Sequence, residues 1–276
     1  MGLAERIGRA RAFEPGRFVP FEIDGIVAGQ VRRDLAAHLS AFPDVFLAGS
    51  RIEFHACLPD RERRTAAMAH VARDLAARGL LSPWRDELYA IGAGGAATPW
   101  FELERSAVRF FGFAARAVHV NGLSAGGGAM WIAQRSPLKA IDPGMFDNLI
   151  GGGVAAGLSV RETLVKEAWE EAGIGPVLAA TASFAGRLQV LREVPEGLHA
   201  ETIEAFDLLL PEDFVPAGQD GEVAGFRRLT LAEVAGELAS DAPYTVDAGL
   251  VTIDCLARRG AIGAQFAARQ ALSSPG

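Results

Sequence analysis

The sequence predicts an α/β protein in which helices pack on a mixed β-sheet, preceded by a smaller α+β domain. From about residue 113 onward, segments of strand-like and helical composition alternate, which is typical of a layered α/β domain. A glycine-rich loop within residues 149–159 runs directly into an acidic helix. A chain of 276 residues also has room for two domains. We therefore predict an N-terminal α+β domain over residues 1–112 and an α/β domain over residues 113–276.

The composition argues against several classes of partner. The net charge is -7 and no block of lysine or arginine stands out, so nucleic acid is not an expected partner. No apolar run approaches the roughly 18 residues that suggest a membrane span, and the charged N-terminus does not resemble a signal peptide. We expect a cytoplasmic protein with no membrane partner, in which Cys57 and Cys255 are buried thiols rather than a disulfide. The oligomeric state stays open, and a homodimer is one of the alternatives.

The N-terminal elements follow from turn and periodicity signals. The stretch "RFVPFEIDGIVAGQVRRDLAAHL" predicts two strands joined by a turn at Asp24 and Gly25, then a helix. The stretch "RERRTAAMAHVARDLAARGLL" predicts a second helix that ends near Gly79. We interpret "YAIGAGGAATPWFEL" as a loop or connector, because Pro99 interrupts the helix that a dinucleotide-binding glycine motif would need. A helix over "FELERSAVRFFGF" is expected to end near Gly112.

In the C-terminal part, "RAVHVNGL" and "AMWIAQRS" predict two strands of a hairpin joined by "SAGGGA". Three further strands are predicted in "TASFAGRLQVLREV", "AETIEAFDLLL" and "EVAGFRRL". Thr230 and Glu233 form a capping-box pattern at the start of a helix over "TLAEVAGEL". A last helix is predicted over "VDAGLVTIDCLARRG".

The acidic helix has clear signals at both ends. Ser159 and Glu162 fit the S-x-x-E capping box, which starts the helix at Val160, and Gly173 suits a C-terminal glycine cap. At about 100° per residue, one face of this helix is apolar and the adjoining face carries three glutamates.

The three glutamates of this face are Glu167, Glu170 and Glu171. A solvated face is one explanation, because Glu162, Lys166 and Glu170 form an i,i+4 ladder. That explanation does not account for Glu167 and Glu171, whose like charges at i,i+4 destabilise a helix unless a cation lies between them. A hard divalent cation such as Mg²⁺ would reverse the sign of this interaction.

These residues resemble the Nudix hydrolases, whose box reads G-x5-E-x7-R-E-U-x-E-E-x-G-U, with U a bulky aliphatic residue. Six positions match in register: Gly152, Glu167, Glu170, Glu171, Gly173 and Ile174. Two positions depart from the box, since Leu158 replaces its first glutamate and Lys166 replaces its arginine. The resemblance implies the Nudix α/β/α sandwich with a mixed sheet.

The resemblance also implies the roles of the site residues. Glu167 and Glu171 would ligate Mg²⁺ or Mn²⁺, Glu170 would be a further ligand or the base that activates water, and the Gly151 carbonyl would complete the shell. The substrate would be a small-molecule diphosphate that is cleaved to two monophosphate-level fragments. Because Leu158 and Lys166 change together, no buried charge need be left without a partner, and we expect a working catalytic site that includes Lys166. A catalytically silent binding module is the alternative from another class.

Two stretches outside the box, residues 131–153 and 208–226, resemble the Nudix branch found at the front of thiamine pyrophosphokinases. That branch also has an apolar residue and a lysine at the two departed positions. Its N-terminal domain is similar to "FEIDGIVAGQV" and "SPWRDELYAI". The resemblance implies hydrolysis of thiamine diphosphate analogues such as oxothiamine and oxythiamine diphosphate. A hydrolase of ADP-ribose or another nucleoside diphosphate derivative remains the alternative enzyme.

Four further residues are candidates for binding the substrate. Arg135 and Lys139 flank a turn beside the box and could hold a diphosphate by charge-assisted hydrogen bonds. Glu222 lies where many Nudix proteins place an acidic residue that reaches the metal or substrate. Arg187 could line the cleft from a later strand. For all four, an ordinary surface position is the competing interpretation.

Overall fold

The computed structural model describes residues 1–81, 83–93 and 98–267. Its N-terminal part contains a four-stranded sheet of order β2-β1-β4-β3, in which β1 is antiparallel to β2 and parallel to β4. The strands are β1 (Phe18–Ile23), β2 (Ile26–Arg32), β3 (Phe46–Ala48) and β4 (Ile52–Phe54). A separate hairpin is formed by β5 (Leu88–Ile91) and β6 (Phe101–Glu104).

Helices and phenylalanine rings enclose this N-terminal core. The helices of this part are α1 (Leu3–Arg9), α2 (Arg33–Ala36), α3 (Arg61–Ala77) and α4 (Arg105–Phe111). Phe21 is fully buried and its ring lies 5.1 to 6.0 Å from four neighbours, which are Phe46, Phe54, Phe111 and Phe113. Edge-to-face packing of this kind adds to the stabilisation that area burial provides.

The C-terminal part is built on a seven-stranded mixed sheet of order β11-β12-β7-β8-β13, with β10 paired to β7 and β9 to β8. The strands are β7 (Ala114–Ser124), β8 (Ala129–Arg135), β9 (Phe146–Asp147), β10 (Ile150–Gly153), β11 (Ser183–Val194), β12 (Gly197–Leu210) and β13 (Val223–Thr230). The central strand β7 runs parallel to β12 and antiparallel to β8 and β10. Because β10 pairs with the middle of β7 and β8 with its end, the sheet opens between β10 and β8.

Helices cover both faces of this sheet. They are α5 (Val160–Ala172), α6 (Pro176–Ala179), α7 (Leu231–Leu238) and α8 (Val246–Arg258). The apolar side of α5 packs with Val118 and Val120 of β7, whereas α8 packs on the opposite face with Ile203 of β12. The predicted α/β/α sandwich with a mixed sheet is therefore confirmed.

Several local predictions are confirmed in detail. Asp24 and Gly25 both have positive φ in the turn between β1 and β2. Both capping boxes form, and α5 begins at Val160 and ends at Ala172, before Gly173 in the left-handed region. No helix in the described ranges is long and apolar enough to cross a membrane.

Two local predictions were wrong. The segment Phe101–Glu104 is a strand that pairs with Leu88–Ile91, so the predicted helix begins only at Arg105 and the predicted connector contains a hairpin. The middle of that connector, residues 94–97, lies outside the described residues. Cys57 is exposed, and only Cys255 is buried as expected, because Cys57 lies in the turn between the short strand β4 and α3 rather than under a helix.

The two parts are connected through direct contacts. The backbone N–H of Ala156 donates to the Leu88 carbonyl at 2.7 Å, and a side chain at Gly153 would overlap the Tyr89 hydroxyl. In addition, α1 packs on α8, and the N–H of Leu191 donates to the Ala10 carbonyl at 2.8 Å. The first residues of the chain therefore pack with the second part. The predicted boundary at residue 112 had placed them in the N-terminal domain.

Candidate active site

The glycine strand β10 allows the acidic helix α5 to approach closely. The N–H of Gly151 donates to Glu171 Oε2 at 2.7 Å, and a Cβ at Gly152 would lie 2.5 Å from Glu167 Cδ. A side chain at Gly152 would therefore displace the Glu167 carboxylate, whereas one at Gly151 would press on His119, whose ring lies 3.2 Å from the added Cβ. The glycine at position 152 is thus explained by the space that Glu167 occupies.

The position of Gly151 also fits its predicted role. Its N–H is directed to Glu171 instead of to β7, and in an extended strand the N–H and the carbonyl of one residue point to the same side. The Gly151 carbonyl is therefore directed to the side on which the glutamates lie.

Burial and mutual repulsion disfavour the charged forms of two glutamates. Glu171 is 7% exposed, and burial and the nearby charge of Glu167 raise its pKa well above the usual value. Burial also raises the pKa of Glu167, although Lys166 partly opposes this effect. Two buried carboxylates of like charge are stable as ions only when a cation is close.

Lys166 lies beside two of the three glutamates. Its Nζ is 3.1 Å from Glu167 Oε1 and 2.5 Å from Glu170 Oε2. Glu170 is more exposed than the other two and is directed to this lysine. Leu158 is 38% exposed, so its replacement of a glutamate leaves no buried charge unpaired. Lysine thus supplies a cation at the arginine position of the box.

These residues fit a divalent cation. Glu167 and Glu171 supply buried carboxylate oxygens and Gly151 a carbonyl oxygen, which are the hard ligands that Mg²⁺ and Mn²⁺ prefer. Glu170 lies next to them as a more exposed fourth oxygen donor. The ligand roles and the catalytic role of Lys166 stay predictions.

The cleft beside β10 contains three of the four predicted substrate-binding residues: Arg135, Lys139 and Glu222. Arg135 donates to Asp147 at 2.8 Å and to the backbone carbonyls of Asp142 and Ile141, so it holds the loop before β9. Lys139 and Glu222 form an ion pair with each other. Burial opposes ionisation of Glu222, but the hydrogen bond from Lys139 still lowers its pKa.

Arg187 is the exception and does not line this cleft. It lies on β11 with its side chain 59% exposed, 3.6 Å from Glu204 on β12. Glu204 is paired more closely with Arg116, at 2.5 Å. Arg187 thus lies outside the set of described residues that line the cleft, and we remove it from the candidates for substrate binding.

Sequence reasoning missed two groups of residues that line the cleft. The first group is cationic and comes from the N-terminal part: Arg85, Arg105 and Arg109. The second group comes from β12 and α8: His199, Glu201 and Asp247. His199 and Glu201 are two positions apart on β12 and therefore share a face, which could have indicated the second group. No local pattern indicated the first group.

The second group is an additional candidate ligand set among the described residues. One ligand atom from each of His199, Glu201 and Asp247 lies within 4.8 Å of the others. His199 Nε2 is 3.2 Å from Asp247 Oδ2 and 3.8 Å from Glu201 Oε2. Although burial opposes it, the neighbouring His199 strongly lowers the pKa of Asp247, so the two also form an ion pair when His199 is protonated.

Comparisons with known proteins agree with this geometry. A family profile described as "NUDIX domain" matches residues 114–248. Nudix hydrolase 24, chloroplastic, of Arabidopsis thaliana is 37% identical over 268 residues, which cover 95% of this chain and 73% of that protein. The chain belongs to the Nudix hydrolase family. Nudix hydrolase 20, chloroplastic, of the same plant is 34% identical over 95% of this chain and 74% of that protein.

Membership of the family makes the protein a Nudix pyrophosphohydrolase, as its box predicts. Residues 2–115 match a second profile, described as "Domain of unknown function (DUF4743)". A crystal structure of DR0079 from Deinococcus radiodurans also resembles this Nudix hydrolase, with 21% identity and a TM-score of 0.48 over 62% of this chain and 99% of that one. The resemblance to the thiamine pyrophosphokinase branch stays a prediction.

Proposed function

We propose that this Nudix hydrolase cleaves thiamine diphosphate analogues, such as oxothiamine and oxythiamine diphosphate, to the monophosphates with the help of Mg²⁺ or Mn²⁺. The observation that carries the hydrolytic part is the pair of carboxylates, Glu167 and Glu171, packed against the glycines of β10, with Glu167 lining a cleft that also contains arginines. The choice of substrate is supported by the sequence resemblance of residues 131–153 and 208–226.

The chain supplies the groups that such a reaction needs. A bound divalent ion would neutralise phosphate charge and lower the pKa of a water molecule. Glu167, Glu171 and the Gly151 carbonyl would hold that ion, and Glu170, which is only half-buried, would accept the proton from the attacking water. Lys166 keeps Glu167 and Glu170 close to each other through its two ion pairs.

On the other side of the cleft, the Lys139–Glu222 and Arg135–Asp147 pairs fix the loops that border the substrate. When substrate binds, the Lys139 ammonium could exchange its ion pair with Glu222 for one with a phosphate oxygen. We propose that these pairs orient the diphosphate, while the reaction itself takes place at the glutamates.

The test is product release from a panel of thiamine diphosphate, oxothiamine diphosphate, oxythiamine diphosphate and ADP-ribose, with Mg²⁺ or Mn²⁺. Glu171→Gln serves as the blank, because glutamine can still accept the hydrogen bond from Gly151 but lacks the charge. We expect the two damaged thiamine derivatives to be hydrolysed fastest by the wild-type protein and none of the panel by the variant.

Other outcomes would change the proposal in defined ways. Faster hydrolysis of ADP-ribose would overturn the substrate and keep the chemistry. No turnover of any compound by folded wild-type protein would overturn the proposal in favour of a binding module. Cytoplasmic location, the absence of a nucleic-acid partner and the monomer or homodimer alternative stay predictions.

A further inference from the structure

The N-terminal part contributes positive charge to the hydrolytic cleft. Arg85 precedes β5, and Arg105 and Arg109 lie one turn apart on α4. All three line the same cleft as Glu167 and Gly152. The cleft therefore has an acidic wall from the Nudix box and a cationic wall, defined as Arg85, Arg105 and Arg109, from the domain of unknown function.

Most cations of the cleft are already neutralised by the protein, but two members of the cationic wall are not. Arg105 donates to Glu87 at 2.7 Å, and its guanidinium lies 5.5 Å from the centre of the Tyr89 ring. Among the residues that the structure describes, the side chains of Arg85 and Arg109 have no carboxylate within ion-pair distance. Neighbouring cations repel each other, and a bound anion relieves that repulsion.

The nearby carboxylates of β12 and α8 do not provide that anion. Glu201 and Asp247 also line the cleft, but both are directed to His199, at 3.8 and 3.2 Å. The remaining cations of the cleft, Arg135 and Lys139, have their own carboxylate partners. The two unpaired arginines are thus the charges left to meet a ligand.

The backbone beneath the cationic wall is fixed in place. One oxygen of Glu104 accepts from the N–H of Arg85 at 2.9 Å and from the N–H of Ser106 at 3.2 Å, which ties the loop before β5 to the start of α4. The backbone of Arg109 lies so close to Gly197 of β12 that a side chain at Gly197 would overlap the Arg109 carbonyl.

The same elements are attached to the Nudix loop. Tyr89 packs its hydroxyl on Gly153, and the Leu88 carbonyl accepts from the N–H of Ala156, three residues beyond β10. A binding group on such a scaffold loses little conformational entropy when a ligand arrives, since only the arginine side chains must be ordered.

We infer that the N-terminal domain provides an anion subsite in which Arg85 and Arg109, supported by Arg105, bind one phosphate of an organic diphosphate while the glutamates act on the other. This inference rests on the proposed hydrolysis of a diphosphate. The planar guanidinium forms two parallel hydrogen bonds with phosphate oxygens, which makes arginine well suited to this role. The domain then serves substrate binding, in addition to packing on the Nudix sheet.

The first experiment is steady-state kinetics on the full chain with Arg85→Ala, Arg109→Ala and the double variant, using the fastest substrate of the panel. Arg73→Ala is the matched control, because Arg73 is an exposed arginine on α3 of the same domain and does not line the cleft. Each cleft variant is expected to raise KM by about tenfold, the effect of losing one charged hydrogen bond, with kcat changed less than about threefold. Arg109→Lys should recover part of the loss.

The second experiment measures binding without turnover. Calorimetric titration with methylenediphosphonate, which cannot be hydrolysed, should show weaker binding to the double variant than to wild-type protein or Arg73→Ala. Arg85 is exposed on a loop, so Arg85→Ala tests the subsite even if Arg109→Ala fails to fold.

The outcomes separate this inference from the proposed function. If wild-type protein hydrolyses a diphosphate and the double variant has an unchanged KM, the subsite is refuted and the hydrolase stands. A fall in kcat at unchanged KM would also refute it, because the arginines would then act on the reaction rather than on binding. If wild-type protein hydrolyses nothing on the panel, the proposed function fails, and the titration with methylenediphosphonate decides whether the subsite exists.

Discussion

Two buried charge clusters lie on opposite faces of the same sheet, and they are neutralised in different ways. On the α8 face, Asp207 of β12 accepts from Arg258 at 2.6 Å and from Asn121 at 3.0 Å. Arg258 also donates to Asp254 at 2.8 Å. On the α5 face, Glu167 and Glu171 have Lys166 and the Gly151 N–H as their partners.

The electrostatic consequences are opposite. Burial acts against ionisation in both clusters, but Arg258 lowers the pKa of Asp207, whereas the pKa values of Glu167 and Glu171 are raised. The first cluster is balanced within the chain and contributes to folding. The second has an excess of negative charge beside a cleft, which is the condition under which an external cation binds.

The largest effect is expected from Glu167→Gln, which removes one carboxylate from the cluster with excess negative charge. Removal of one ligand charge should lower kcat by about a thousandfold, because a bound metal contributes several kcal/mol to the transition state and each 1.4 kcal/mol is a factor of ten. Thermal stability should change little. Glu62→Gln on the exposed face of α3 is the control, and a kcat equal to that of the control would contradict the assignment.

Addition of Mg²⁺ or Mn²⁺ to metal-free protein is expected to raise its stability. At a metal concentration one hundred times Kd, linkage predicts about 2.7 kcal/mol. Glu171→Gln should abolish most of this gain in a thermal unfolding assay. If the gain persists in Glu171→Gln and disappears in His199→Ala, the ion binds at the His199 cluster instead. The glutamates of α5 would then not be the metal site.

A change in the balanced cluster should affect folding but not the reaction. Asp207→Asn leaves Arg258 with a weaker buried partner and should lower the free energy of unfolding by about 2 kcal/mol, while Asp254 still pairs with the arginine. Urea unfolding measures the loss. The value of kcat should equal that of wild-type protein, and a variant of normal stability but reduced kcat would show that this cluster also serves catalysis.

The same pair predicts how stability depends on pH. Because the pKa of Asp207 is lower in the folded protein than the usual 3.8, its contribution is present above pH 3.8 and is lost as the pH falls through the folded value. The difference in unfolding free energy between wild-type protein and Asp207→Asn should thus be full at pH 6 and shrink below pH 3.8. A difference that stays constant over this range would refute the pairing as its cause.

The smallest effect is expected from Arg187→Ala. An exposed ion pair contributes between about 0 and 1 kcal/mol, and Glu204 keeps its closer partner Arg116. Neither KM nor stability should change beyond these limits. A clear rise in KM would instead return Arg187 to the substrate site, as the sequence alone had suggested.

Much of the fold could be predicted because its signals are local. The capping residues Ser159 and Glu162 and the cap at Gly173 fix both ends of α5, and the glutamate spacing identifies the Nudix box. The hairpin strand Phe101–Glu104 was missed, because it is separated from its partner Leu88–Ile91 by more residues than a two-residue turn, so the sequence carries no tight-turn signal between them.

The sequence by itself determined the family, the order of the main elements and which face of α5 carries the acids, since helix periodicity and capping depend only on neighbouring residues. Only the tertiary structure decided that Glu171 is buried on Gly151, that Glu170 is directed to Lys166, and that Arg187 lies outside the cleft. It also brought the cationic wall to a site that lies about 60 residues further along the chain. Such contacts depend on how distant elements pack, and no local pattern of residues records that arrangement.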